Sequence, residues 1–386
     1  MKSLYCLLAA ALMLLPACNK GDEGYDLTPT VACPQSKAER VVKGERVAVS
    51  IMNIGANTEV TVKFGKEKTV TQKGPGVLYH AFDAIGRKTI TVTMEPAEVE
   101  KQTFYVMVED GILPLQRVAK MLVDDPLLCL VMAHRGNSSD WSIPENSEAA
   151  IEKCIADKVD IMEMDLWTSK DGVLIVSHDE NLSRVTGYNQ KIGNMTMAQI
   201  KQLNLKNRNN QPTSQKVLTF DELLDLCKDR LYVNVDIGDR NASVTQVVEA
   251  VAKKGMTQQV LIYCNSNAKA LEALKANPEC NVYTPTGSNA TYLVENGTAD
   301  FKYFTQCTYP STGDSAVNTA VAAGTILTVN AIYTLNTSLF PAHGFTKALV
   351  EDIYKKWPAT RCIHVDTGKE ARAALKEAGK HVMNDN

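Results

Sequence analysis

Five side chains able to do chemistry stand where apolar, strand-like segments of this chain turn polar. They are two histidines and three carboxylates: His134, His178, Glu163, Asp165 and Asp236. Imidazole titrates near neutrality and suits proton transfer, whereas carboxylate oxygens are the ligands that Mg²⁺ and Ca²⁺ prefer. The set therefore indicates acid–base chemistry beside a divalent cation.

The elements that carry these residues are expected to be parallel strands. Residues 128–133, 173–176 and 260–263 are almost uniformly apolar, which is typical of strands buried on both faces. Helical patterns alternate with them, and residues 147–155 combine a serine cap with an amphipathic spacing. Repeated strand–helix units predict a (β/α)8 TIM-like barrel over residues 111–386.

In a barrel of parallel strands the C-terminal ends meet at one rim, where such barrels place their active sites. We therefore expect the two histidines and three carboxylates to converge. Glu163 and Asp165 are two residues apart on one predicted strand, so their side chains point to the same face. Asp171 and Gly172 predict a tight, hairpin-like turn between the second and third strands. Each residue alone has an ordinary structural explanation, but their shared position at strand ends favours a site.

Short motifs also occur here in a characteristic order. They are His-Arg-Gly at 134–136, Pro-Glu-Asn-Ser at 144–147, Glu-Met-Asp at 163–165, Asp-Gly at 171–172 and His-Asp at 178–179. This ordered set resembles the signature of the glycerophosphodiester phosphodiesterase family. The resemblance covers about residues 128–240 well and the remainder to the C-terminus loosely.

The resemblance implies hydrolysis of a small phosphodiester substrate, a glycerophosphodiester, to a glycerol phosphate and an alcohol. His134 and His178 would be the catalytic acid–base pair, and a divalent cation, Ca²⁺ or Mg²⁺, would be held by the metal ligands Glu163, Asp165 and Asp236. The resemblance implies first attack by a glycerol hydroxyl, which gives a cyclic phosphate, and direct attack by water is the other route. The sequence leaves open both routes and which histidine is the base.

Three further residues are candidate substrate contacts: Arg135, Glu145 and Asn146. Arg135 can hold a phosphate oxygen through its guanidinium fork, and the other two lie on the loop after the first strand, in reach of metal or substrate. The family's Glu-x-Lys at the fourth strand is replaced by Asp236 and Gly238. Asp236 still offers a carboxylate, whereas the lysine that would approach the phosphate is missing.

Two other functions stay open at this point. One is a related phosphodiesterase on the same barrel, of the phosphoinositol or sphingomyelin type. The other is a non-catalytic surface-binding protein, which Gly238 and the altered last strand end at residues 365–368 favour. Retention of both His134 and His178 argues for catalysis.

The first residues predict export and a lipid anchor. Residues 1–18 combine a basic start, an apolar run too short to span a bilayer and the ending Leu-Pro-Ala-Cys. This ending resembles the lipobox of bacterial lipoproteins, which implies lipidation of Cys18 and attachment to a membrane. Residues 20–23 resemble an acidic surface-targeting tag, so we expect the outer membrane or the cell surface. Residues 19–35 are expected to be a linker.

Residues 36–110 predict a small all-β, immunoglobulin-like sandwich before the barrel. Polar and apolar residues alternate over 46–51, 59–64 and 88–93, with glycine and proline between the runs. This likeness is one of fold and carries no chemistry. The expected role is that of a spacer or adhesion module.

Composition narrows the remaining possibilities. The chain has 41 Lys+Arg against 44 Asp+Glu, so it lacks the basic excess of a nucleic-acid-binding protein. Of its 10 cysteines, Cys6 lies in the predicted signal and Cys18 is the predicted lipid site. The others show no C-x-x-C spacing, which predicts small buried hydrophobes rather than a zinc site or a disulfide framework. Nothing in the sequence predicts an oligomeric state.

Overall fold

The computed structural model describes residues 28–37, 41–137, 140–286, 304–332 and 345–383. The predicted signal segment and Cys18 lie outside these residues, as does most of the expected linker. The chain divides into two compact units, an all-β unit and a mixed α/β unit, whose main boundary falls between Met107 and Val108.

The N-terminal unit is built from two antiparallel sheets, whose strands are β1 Thr30–Ala32, β2 Val41–Val42, β3 Arg46–Met52, β4 Glu59–Phe64, β5 Lys68–Lys73, β6 Gly76–Ala81, β7 Gly86–Glu95 and β8 Gln102–Glu109. One sheet has the order β1-β3-β6 and the other β2-β8-β7-β4-β5. Phe64 of the second sheet lies 5.3 Å, between ring centroids, from His80 of the first. The two sheets therefore pack face to face through alternating apolar residues.

One strand of this unit falls where we expected a linker. β1 pairs antiparallel with β3, from Thr30 opposite Met52 to Ala32 opposite Ser50. Three residues are too few to display an alternating pattern, so the sequence offered no signal for this strand. The sheet therefore begins before residue 36.

The second unit contains the strands β9 Leu130–Ala133, β10 Ile161–Thr168, β11 Leu174–Val176, β12 Asn204–Lys206, β13 Pro212–Lys216, β14 Tyr232–Asp236, β15 Val260–Tyr263, β16 Asn281–Pro285, β17 Phe304–Thr308, β18 Ile326–Asn330 and β19 Thr360–Val365. Eight of them are parallel neighbours in the order β9-β10-β14-β15-β16-β17-β18-β19, and β19 pairs with β9 to close the barrel. The predicted barrel is confirmed.

Helices connect and surround these strands. In the described part of the second unit they are Leu115–Asp124, Glu148–Ala156, Ser183–Thr186, Met197–Ile200, Phe220–Cys227, Val244–Lys253, Asn267–Ala276, Asp314–Ala322, Lys347–Lys356 and Gly368–Glu377. The predicted serine cap is present, because the Ser147 hydroxyl accepts a hydrogen bond from the Ala150 N–H at 3.1 Å. None of the helices in the described ranges combines the length and apolarity needed to cross a bilayer.

The third apolar segment is not one of the eight barrel strands, which corrects the expectation of consecutive parallel strands. β11 pairs antiparallel with β10, with Leu166 opposite Val176. The predicted turn at Asp171 and Gly172 is present, and Gly172 has the positive φ of 82° that such a turn requires. A connection this short allows only an antiparallel return, because parallel strands need a crossover of a dozen or more residues.

The eight cysteines of the described residues are all buried, and none forms a disulfide. Burial raises the pKa of the Cys129 and Cys154 thiols to about 12. Such thiols stay protonated at neutral pH and pack as small apolar groups. The prediction of small buried hydrophobes is confirmed for these eight cysteines.

Candidate active site

Three carboxylates meet at the C-terminal mouth of the barrel. Glu163 and Asp165 lie within β10, two residues apart, and Asp236 ends the neighbouring strand β14, directly opposite Asp165 in the register. One oxygen atom of each carboxylate lies within 4.8 Å of the others. The structure thus brings the three predicted ligands together, although Glu163 and Asp165 lie inside a longer strand rather than after its end.

Burial makes the ionised form of these carboxylates energetically costly. Glu163 is 4% and Asp165 2% exposed, and burial raises the pKa of both. The Asp236 charge raises the pKa of Glu163 further and Glu163 does the same to Asp165, while His134 and Arg240 act in the opposite direction. Buried like charges are stable as anions only beside compensating cations.

Arg240 is one such cation, and sequence reasoning missed it. Its guanidinium donates to Asp165 Oδ1 and lies 3.0 Å from Asp236 Oδ1, with 12% of the side chain exposed. Gly238 meanwhile donates its N–H to Asp236 Oδ1 at 2.7 Å. Arg240 therefore supplies, two residues later, the positive charge that position 238 lacks. The turn around it is polar throughout, so nothing in the sequence distinguished Arg240.

The buried oxygens of the site include two without a hydrogen-bond partner among the described residues. These are Asp165 Oδ2 and the side-chain oxygen of Asn146, which is 4% exposed. The Asn146 N–H donates to the Arg135 carbonyl at 2.9 Å, which ties its loop to the turn after β9. Unpaired buried oxygens in a carboxylate-rich site match the ligands of a hard divalent cation, so the residues present fit such an ion.

Arg135 links the carboxylate cluster to the loop after β9. Its backbone N–H donates to Glu163 Oε2 at 2.9 Å, and its guanidinium donates to Glu145 Oε1 at 3.3 Å. The guanidinium Nε also lies 3.9 Å from Asp165 Oδ2. Arg135 is therefore placed at the edge of the carboxylate cluster.

The turn that presents Arg135 explains the glycine of the His-Arg-Gly motif. Arg135 and Gly136 have positive φ values of 54° and 66°. A Cβ at Gly136 would lie 2.8 Å from the Met162 Cε atom and 2.9 Å from the Ala150 Cβ atom. Position 136 thus needs glycine for both backbone conformation and space.

Each predicted catalytic histidine is held by a carboxylate. His134 Nδ1 lies 2.8 Å from Asp366 Oδ1, and His178 Nδ1 lies 2.7 Å from Asp179 Oδ1. A carboxylate that accepts from Nδ1–H fixes the tautomer and leaves Nε2 as the nitrogen able to exchange a proton.

Both orienting carboxylates are kept ionised by their partners. Burial alone would raise the pKa of Asp366, but hydrogen bonds from His134 and Asn137 and the His134 charge hold it below its usual value. Burial of Asp179 is outweighed in the same way by Arg184 and His178. In the sequence, Asp366 stood out only as part of the altered end of the last strand, and no pattern indicated that it would bind His134.

Glu145, a predicted substrate contact, is bound to arginines. Arg184 donates to its two carboxylate oxygens at 2.9 and 2.6 Å, in addition to the bond from Arg135. Burial would raise the pKa of Glu145, but these arginines lower it overall. Arg184 also donates to Asp179, so Glu145 and Arg184 connect the turn of Arg135 to the His178 pair.

A third histidine lies beneath the site. His364, on β19, is 4% exposed, and its ring stands edge-on to that of His134 at 5.6 Å between centroids. Its Nε2 lies 3.8 Å from Glu163 Oε2, and burial lowers its pKa to about 4. It is therefore neutral at physiological pH. The apolar residues around it in β19 concealed it in the sequence.

Comparison with known proteins points to one family. Residues 134–297 match the model of the Glycerophosphoryl diester phosphodiesterase family. The glycerophosphodiester phosphodiesterases of Caldanaerobacter subterraneus subsp. tengcongensis and Bacillus subtilis are 33% identical over 110 residues and 34% identical over 121 residues. These alignments cover 28% and 29% of this chain and 44% and 41% of the relatives. The chain thus spans less than half the length of these curated relatives.

Solved structures share the barrel. A Glycerophosphoryl diester phosphodiesterase from Parabacteroides distasonis superimposes with a TM-score of 0.59 at 16% identity, over 69% of this chain and 93% of that one. An Oleispira antarctica phosphodiesterase, solved with the product sn-glycerol-3-phosphate, gives 0.50 at 18% identity, over 64% and 97%. At these identities the likeness establishes the fold.

Proposed function

We propose that the barrel of this chain hydrolyses a glycerophosphodiester to a glycerol phosphate and an alcohol, which the match of residues 134–297 to the model of the Glycerophosphoryl diester phosphodiesterase family supports. One observation carries the proposal: the carboxylate cluster and the two histidines, each bonded to a carboxylate, lie at the same mouth of the barrel. Arg135, the residue after His134, donates its N–H to Glu163 Oε2 at 2.9 Å, and Ser177, the residue before His178, donates its N–H to the Asp165 carbonyl at 3.0 Å. Proton-transfer groups and a cation site therefore serve one reacting centre.

The phosphoryl group would be bound between cations. A divalent ion, Ca²⁺ or Mg²⁺, held by Glu163, Asp165 and Asp236 would neutralise charge that develops on the phosphoryl oxygens. Arg135 supplies a second positive charge, and its Nε has no hydrogen-bond partner within the described ranges. That N–H is therefore available to a non-bridging phosphate oxygen.

His134 and His178 would move the protons. One imidazole Nε2 accepts the proton of the attacking hydroxyl as its oxygen bonds to phosphorus, and the other donates a proton to the departing alcohol oxygen. When the nucleophile is the substrate's own glycerol hydroxyl, the first product is a cyclic phosphate. Water then opens that ring with the two histidine roles exchanged.

The test is turnover by the purified protein. A panel of glycerophosphodiesters, with phosphatidylinositol and sphingomyelin as the related alternatives, is incubated with Ca²⁺, with Mg²⁺ or with chelator, and products are followed by phosphorus NMR. We expect a glycerol phosphate, metal dependence and a transient cyclic phosphate. Turnover of a related lipid alone would reassign the substrate. Metal binding without turnover of any diester would favour the surface-binding protein.

The three carboxylates have a separate test in direct metal titration. Glu163→Ala or Asp165→Ala should weaken metal binding, and excess metal should partly restore the rate. Asp236→Glu should preserve binding because the carboxylate is retained. If Asp236→Ala leaves metal affinity and rate unchanged, Asp236 is not a ligand.

We further propose that the protein is exported and anchored by a lipid on Cys18 in the outer membrane or at the cell surface. The lipobox-like ending of residues 1–18 supports this. Cys18→Ala should move the protein from the detergent phase to the aqueous phase in a phase-separation assay. Cys6→Ala, within the apolar run, is the matched control. Unchanged partition of Cys18→Ala would contradict the anchor.

A further inference from the structure

The cavity beside His134 has a second wall that the proposed chemistry does not use. Its volume is about 690 Å³. Its lining includes His134, Arg135 and Asp366 of the proposed site and, in addition, an aromatic ring and two cations, which we call the second wall: Trp141, Lys206 and Arg208. A substrate that reaches His134 therefore lies next to this second wall.

The two cations of the second wall belong to a small hairpin outside the barrel. β12 and β13 pair antiparallel, and Lys206 ends β12 while Arg208 lies in the turn between the strands. The turn is closed by the Asn207 N–H, which donates to the Gln211 carbonyl at 2.8 Å. The Arg208 N–H donates to the Trp141 carbonyl at 3.1 Å. Backbone hydrogen bonds thus fix the cations against the loop after β9.

The charges of the cavity are unevenly compensated. Arg135 and Arg184 on the catalytic side are bound to Glu145. Arg208 lies over the Trp141 ring and acts electrostatically on Asp366. Lys206 has no acidic partner among the described residues, although it lines the cavity. The hairpin wall therefore offers positive charge to an anion.

Trp141 gives the same wall an apolar surface. Its side chain is 36% exposed, and the Arg208 guanidinium carbon lies 5.0 Å from the centroid of its ring. A cation–π contact of this kind holds the guanidinium over the ring. The ring beside it can pack against the carbon skeleton of a polyol head group.

From this geometry we infer that the substrate carries a second anionic group outside the diester, and that Lys206 binds it. The inference rests on the proposed function and names its substrate class: glycerophosphodiesters whose head group bears a phosphate or a carboxylate. Cationic head groups such as choline are disfavoured because they would face like charges at this wall.

The experiment compares matched head groups on the full chain. kcat/KM is measured for glycerol diesters of glycerol, glycerol phosphate, glyceric acid and choline. We expect the two anionic diesters to exceed the neutral one and choline to be poorest, with the advantage decreasing as salt is raised. The phosphate and carboxylate arms decide which anion is preferred.

Variants of the hairpin test whether it causes the preference for anionic head groups. Lys206→Met should remove about tenfold from kcat/KM on the anionic diesters, with a smaller loss on the neutral one. Lys216→Met is the control, because Lys216 lies on the same hairpin, donates to the Gln202 carbonyl at 3.1 Å and does not line the cavity. Equal losses on all head groups, or no anionic preference in the unaltered protein, would overturn the inference.

A binding measurement separates this inference from the proposed function. Calorimetry compares glycerol 1,3-bisphosphate with glycerol 3-phosphate on the unaltered protein and on Lys206→Met. Tighter binding of the bisphosphate that Lys206→Met abolishes supports the subsite even if no diester is hydrolysed. Equal affinities for the two ligands would refute the subsite even if diesters are hydrolysed.

Discussion

The part of β10 that pairs with β14, Ile161–Asp165, has a buried charge cluster at each end, and the two clusters differ in charge balance. Just before the strand, Asp160 is 2% exposed and accepts from the Val131 N–H at 2.8 Å. Its other oxygen lies 3.5 Å from Arg372 Nη1, and Arg372 Nη2 donates to the Met383 carbonyl at 2.7 Å. One buried carboxylate here meets one buried guanidinium, and the backbone takes up further hydrogen bonds.

The other cluster holds more negative charge than its neighbours compensate. Glu163 and Asp165 are buried to the same degree as Asp160, yet with Asp236 they share Arg240 and part of Arg135. Asp165 Oδ2 also lacks a hydrogen bond within the described residues. A buried carboxylate and guanidinium that neutralise each other need only a structural explanation. Buried carboxylates with too few neighbouring cations indicate a ligand site instead. Burial of polar groups alone would not separate the two clusters.

The largest expected effect is a loss of catalytic rate at the unbalanced cluster, with the fold left intact. His134→Ala should lower kcat by about 10²–10⁴ and leave thermal stability and metal affinity nearly unchanged, since His134 acts on protons. His381→Ala is the control, because His381 has a similar carboxylate pair, 2.7 Å to Asp125, and does not line the cavity beside His134. A His134→Ala protein with full activity would remove His134 from the mechanism.

The second effect breaks the balanced end. Asp160→Ala removes both the carboxylate beside the buried Arg372 guanidinium and the acceptor of the Val131 N–H, so unfolding in urea should reveal a loss of about 3–5 kcal/mol. The folded fraction should keep its kcat and metal affinity. Glu152→Ala, which breaks an exposed pair with Arg230 at 2.8 Å, should cost no more than about 1 kcal/mol. A rate loss in Asp160→Ala without a stability loss would reverse the roles assigned to the two ends.

The sequence predicted the barrel and the carboxylate cluster because both rest on local patterns. Apolar runs mark buried strands, and parallel topology brings their polar ends together. The partners of the histidines are long-range: Asp366 lies 232 positions from His134, and no local signal connects them. His364 was concealed in an apolar strand, and Arg240 in a polar turn. The antiparallel course of β11 followed from the predicted tight turn, but the apolar composition of the segment favoured a parallel strand.

The third prediction concerns a variant that removes a positive charge from the carboxylate cluster and so increases its excess of negative charge. Arg240→Met removes the guanidinium that competes with a metal ion for Asp165 and Asp236, so divalent-ion affinity should rise about tenfold. The rate should fall, since Arg240 also adds positive charge beside the phosphoryl group. Titration calorimetry measures the affinity, with Arg230→Met, on an exposed pair, as the control. Unchanged affinity would mean that Arg240 does not compete with the metal.

The smallest effect concerns the free energy stored in the unbalanced cluster. Burial raises the pKa of Glu163, so ionising it costs folding stability once the pH exceeds the carboxyl pKa of the unfolded chain. Glu163→Gln cannot ionise and can still accept from the Arg135 N–H. With chelator present, it should gain on the order of 1 kcal/mol at neutral pH, and the gain should vanish near pH 4.

Thermal melts with chelator at both pH values measure this gain. Glu249→Gln, an exposed carboxylate on the helix Val244–Lys253, should change little at either pH. Added metal should stabilise the unaltered protein more than Glu163→Gln, because the variant has lost one anionic ligand. No gain in chelator would mean that Arg135 and Arg240 already compensate the cluster. The two clusters would then differ in their hydrogen bonds and not in their charge balance.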